Sequence, residues 1–100
     1  MYYLCVQNEC EDLQHAADEA GDRHYRAMTD WVTKGRTRSL RDRARHLAEV
    51  YRRALLWVID CYQRGRDSIR NRRKLETAVE FEGMVENDIK ILDKYETKTS

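Results

Sequence analysis

Apolar residues return at every third or fourth position along almost the whole chain, and no proline interrupts them, so the pattern confines the fold to helices. From Leu13 the series runs Leu13, Ala17, Ala20, His24, Met28 and Trp31, one face of a helix. Asn8 followed by Glu11 has the form of a capping box, and Gly35 after Lys34 offers a left-handed stop. The spacing predicts a first helix over about 9–34. Residues 2–6 are apolar enough to pack on it, but the pattern leaves their conformation open.

Ser39 with Asp42 three residues on predicts a second start, and the stripe Leu40, Ala44, Leu47, Tyr51, Leu55, Val58, Tyr62 predicts a helix over about 40–64. Between Gln63 and Lys74 the stripe lapses, with Ile69 the one large apolar residue and Gly65 at its start, which reads as a break. A third stripe, Leu75, Ala78, Phe81, Val85, Ile89, Leu92 and Tyr95, predicts a helix over about 74–96. Three helices of similar length joined by short connections predict an all-α chain, an antiparallel three-helix bundle forming one domain over 1–100. The alternative keeps 63–74 helical, since arginine and lysine are good helix formers, and yields a long helical hairpin that dimerises.

Charge is sorted along the chain. Residues 1–33 hold seven acids and two bases, residues 34–74 fourteen bases and four acids, and residues 75–100 seven acids and three bases. A basic middle helix between two acidic ones favours one arrangement through complementary flanks. The net charge of +1 therefore says nothing by itself about partners. The longest apolar run, Ala54–Ile59, is far short of the roughly 18 residues of a membrane helix. The N-terminus lacks the basic segment of a signal peptide. Cys5, Cys10 and Cys61 are odd in number and irregular in spacing, so reduced thiols and a cytoplasmic location are the expectation.

Chemistry-bearing motifs are few. Glu11, His15 and Glu19 share a helix face at steps of four, but no close cysteine or histidine pair marks a metal site. No nucleophile elbow or glycine-rich phosphate loop is present. Arg41 to His46, reading RDRARH, resembles the Arg-x4-His motif of the helical HEPN-type ribonucleases, where arginine and histidine act together on the scissile phosphate. The resemblance covers six residues, in a stretch with nine arginines between Arg36 and Arg66. No catalytic residue, cofactor, metal or small-molecule ligand is assigned from it, and the expectation is a protein that is not an enzyme.

Two binding readings remain. Ala54 to Ile59 are consecutive apolar residues that point all round a helix, and Val50, Ala54, Trp57 and Cys61 form a second row away from the main stripe, with Arg53 and Arg64 beside it. Such a row reads as a face kept for a protein partner or a second copy, with Trp57 as anchor and arginines at its rim. The other reading is nucleic-acid binding by two arginine clusters, Arg36, Arg38 and Arg41 at one end and Arg70, Arg72 and Arg73 at the other. In size and charge sorting the chain resembles small helical phage-encoded inhibitors, anti-CRISPR proteins among them, which implies docking on a host protein or nucleic-acid-handling complex. The expectation is thus a non-enzymatic, protein-binding helical module.

Overall fold

The computed structural model describes the backbone of residues 2–64 and 68–99 and the side chains of 10–64 and 72–95. Three helices, α1 (Tyr2–Thr33), α2 (Arg38–Arg64) and α3 (Ser68–Thr99), form the antiparallel bundle that the periodicity predicts. The molecule is a rod of 53 × 18 × 18 Å, and its radius of gyration of 15.8 Å exceeds the ~13 Å of a compact 100-residue domain.

The helix ends differ from the sequence expectation. α1 runs back to Tyr2, which places Asn8 inside the helix rather than at its cap. No glycine or proline precedes Asn8 to stop it. α2 is capped by Thr37, not Ser39: the Leu40 amide donates to Thr37 Oγ1 at 3.3 Å and the Arg41 amide to the Thr37 carbonyl at 2.9 Å. α3 already begins at Ser68, so residues 68–73, expected within the break, are helical, while 65–67 lie outside the described residues. Arg72, Arg73 and Lys74 stand exposed on its early turns, which need good helix formers rather than an apolar stripe.

The α1–α2 turn is sharp. Gly35 takes φ +109°, and the Arg36 amide reaches back to the Trp31 carbonyl at 2.9 Å, the six-to-one bond of a Schellman closure. Beyond it the Arg36 guanidinium lies over the rings of Trp31 (5.3 Å) and Tyr95 (5.0 Å) and donates to the Tyr95 hydroxyl. Trp31 and Tyr95 meet edge to face at 4.9 Å. This cluster ties the turn to the far end of α3.

Two cores lie along the rod. One gathers Ala27, Trp31, Ala44 and Leu92 near the turn; the other is built on Ala17, Leu55, Val58, Tyr62, Ala78 and Val85. Alanines at 17, 27, 44 and 48 are almost wholly buried. Between the cores His24, 5% exposed, places Nε2 3.0 Å from Asp88 Oδ2 of α3.

The α1–α2 hairpin is also closed covalently. Cys10 and Cys61 form a disulfide with Cα atoms 5.7 Å apart, which overturns the expectation of reduced thiols for this pair; the Cys5 side chain lies outside the described residues. Spacing along the chain hid the pair, because the two are neighbours only once the hairpin forms. Both lie equally far from the Gly35–Arg36 turn, so the antiparallel register brings them level. The α2–α3 seam carries charge instead: Arg52 Nε donates to Glu82 at 3.0 Å, and Arg45 bridges Asp93 and its own-helix neighbour Glu49. The basic middle helix does lean on an acidic neighbour here, whereas Asp18, Glu19 and Asp22 of α1 remain exposed.

α1 and α3 both pack on α2 but not closely on each other. Among the described residues, no Cα of α1 lies within 8 Å of one in α3. Side chains such as His24–Asp88 and Trp31–Tyr95 bridge the gap toward the turn. Toward the other end it opens as a cleft floored by Tyr51, Leu55 and Ala78.

Candidate functional site

Six consecutive apolar residues on α2 cannot all face two neighbours, since successive positions turn by about 100°. Leu55 (1% exposed) and Val58 (0%) enter the core, and Ile59 and Ala54 pack against it half-buried. Trp57 and Leu56 are left outside, 64% and 42% exposed, and Val50 joins them at 40%. Trp57 and Val50, two turns apart, share one side of the helix. Around them Arg43 and Arg53 extend into solvent without an ion pair among the described residues. Arg64 is exposed too, but reaches back to Asp60 at 2.7 Å. The arrangement is a small apolar surface centred on an indole and rimmed by guanidinium groups.

Two members of the row read from the sequence do not belong to this surface. Cys61 is 6% exposed and disulfide-bonded to Cys10, so it belongs to the α1–α2 seam. Ala54 is half-buried against the core. Both lie on the side of α2 that turns toward α1, which a wheel drawn without a neighbour cannot show. Leu56 lies outside that row and is exposed; its place in the apolar run was the available signal.

The arginine clusters are not brought together. α2 is 27 residues long, so its two ends are roughly 40 Å apart. Arg41 is 7% exposed; it donates to the Leu92 carbonyl of α3 at 3.4 Å and to Asp42, and so serves the fold rather than a phosphate. Arg36 is held on its aromatic pair. Arg38 is exposed, Arg72 lies 3.5 Å from Glu76, and Arg73 lines the α1–α3 cleft. The Arg70 side chain lies outside the described residues.

The Arg-x4-His motif is split in the same way. Arg41 turns inward while His46 stays exposed, and the two border a shallow depression of about 290 Å³ shared with Asp42, Arg45 and Glu49. Glu11, His15 and Glu19 are exposed, and among the described residues no group of three or more His, Cys, Asp or Glu is gathered to hold a metal ion. No helix is long and apolar enough to cross a membrane among the described residues. The α1–α3 cleft has a volume of about 530 Å³, with Gln14 and Asp18 on one wall and Arg73, Lys74, Thr77 and Phe81 on the other. Burial holds the Tyr51 hydroxyl beside it above the usual phenol range, and the charges of Asp18 and Asp22 add to this. Tyr62, whose hydroxyl donates to Gln14 at 3.1 Å, is raised by burial first and then by Asp18 and Glu11.

No protein-family model, curated protein or solved structure matches the chain, so its function rests on the geometry above.

Proposed function

We propose that this chain is a non-enzymatic helical module that docks on another protein through the outer face of α2, with Trp57 as the anchor. One observation supports the reading above the rest: the bundle completes its core with Leu55 and Val58 while leaving the adjacent indole 64% exposed. A tryptophan set among other apolar side chains and arginines has the composition of an interface hot spot. The partner this face fits offers an apolar pocket with an acidic rim, since Arg43 and Arg53 meet no acid of their own fold among the described residues. Inhibition of a larger assembly, as small phage-type helical proteins achieve it, is one use of such docking.

The experiment is site-specific photo-crosslinking from position 53, beside an intact Trp57, in the cells that make the protein, with the parent and Trp57→Ala as competitors. A single adduct, captured from position 53 but not from exposed Glu76, and displaced by the parent but not by Trp57→Ala, supports the reading. Equal capture from both positions, or a ladder of adducts, contradicts it. Binding of DNA or RNA oligonucleotides that quenches Trp57 and weakens steeply with salt would replace a protein partner by a nucleic acid.

A further inference from the structure

We infer that the cleft between α1 and α3, a surface separate from the Trp57 face, receives a second copy of this chain, the two copies being related by a twofold axis parallel to the helices. The first observation is the open seam itself, where α1 and α3 share α2 as a floor without close backbone contact. Asp88 and Tyr95, bonded or packed to α1, fix which side of α3 turns to the cleft. On that side, stepping by three or four residues, stand Phe81 (42% exposed), Met84 (58%) and Ile91 (40%). On the opposite lip the heptad Glu11, Asp18, Tyr25, Val32 continues from the cleft wall, with Tyr25 74% and Val32 52% exposed. Exposed apolar side chains thus stand on both lips of the seam.

Charge selects the occupant. The α1 lip is acidic at its early end, through Glu11 and Asp18, and the α3 lip at the same end is basic, through Arg73 and Lys74. A twofold axis along the helices lays α1 of one copy on α3 of the other at the same level. Acidic lip then meets basic lip twice, while Tyr25 falls between the partner's Met84 and Ile91 and Val32 beyond Ile91. The perpendicular twofold would lay α1 antiparallel on α1, setting each acidic lip on the partner's Tyr25 and Val32 and leaving Arg73 and Lys74 with no α1 acid opposite them. One whole side of the rod, 53 × 18 Å, projects to about 950 Å², so the side has room for the ~800 Å² per partner of a standard interface.

The test is sedimentation equilibrium over a dilution series from high micromolar to nanomolar. The parent and Trp57→Ala are expected to dimerise alike. Glu11→Lys with Asp18→Lys, and separately Arg73→Glu with Lys74→Glu, are each expected to dissociate at least tenfold more readily. An equimolar mixture of these two variants is expected to recover parent-like dimer, because every lip contact is again of opposite sign, and that recovery also shows both variants to be folded. A parent that stays monomeric throughout, a dimer indifferent to the lip charges, a mixture that fails to associate, or a dimer lost in Trp57→Ala would each overturn the inference.

Discussion

Leu55 and Trp57 stand two positions apart on α2 and face opposite fates, the one sealed and the other out in solvent. Leu55→Ala should cost about 2–5 kcal/mol, the loss of a buried leucine together with the cavity it leaves. Trp57→Ala should cost under about 1 kcal/mol, as surface substitutions do; chemical denaturation of both variants checks the pair. The glycines of α1 and α3 make a second contrast. A methyl group added at Gly83 would meet only open space, so Gly83→Ala should stabilise by about 0.5–1 kcal/mol through helix propensity. A methyl on Gly21 would sit 2.9 Å from Tyr51 Cζ, so the ring must shift and Gly21→Ala should gain less. Tyr51 and Tyr62 also tie stability to alkaline pH. Both phenols are raised above their value of 10.0 by burial, so the unfolded chain loses these protons first. Stability they contribute is fully present below pH 10 and falls as pH rises through their folded-state values; pH-dependent melts of Tyr51→Phe with Tyr62→Phe should show a shallower alkaline decline.

At the scale of elements, the hairpin of α1 and α2 is held by a turn at one end and a disulfide at the other. The bond closes a loop across a separation of 51 residues, worth about 4 kcal/mol in the chain-entropy account. Melting with and without reductant should therefore show a lower transition for the reduced protein, and Cys10→Ser with Cys61→Ser should melt like the reduced form in either buffer. The three stripes were legible because each helix buries one face; Phe81 is the exception, exposed because it lies along the open seam. Helix ends were less legible. The Asn8 and Ser39 caps are local patterns that compete with continued helix, and nothing at residues 2–8 or 68–73 breaks the chain. The disulfide needed the hairpin register, which the turn at Gly35 supplies but cysteine spacing does not.

For the whole molecule, what matters is how much apolar surface a rod of three helices leaves uncovered. α2 is the central helix, and its two neighbours cover the arc from Cys61 through Leu55 to Ile59, with Arg45 and Arg52 at its α3 edge. The six-residue apolar run requires that something remain outside, and the indole does. Which of its residues are exposed depends on where α1 lies, and a single helix carries no sign of that. Cys61 and Ala54 therefore turn inward against expectation, and Leu56 turns out. Arg41 shows the same limit, since only the approach of α3 makes its guanidinium internal.

The most direct measurement is iodide quenching of tryptophan fluorescence in the dilute parent and in Trp57→Phe. Of the two tryptophans, Trp31 is 3% exposed and Trp57 64%. The parent should show one quenchable, water-like emission and one protected emission, and Trp57→Phe should retain only the protected one. Protection of both indoles in the dilute parent would place Trp57 inside the bundle and contradict the docking face.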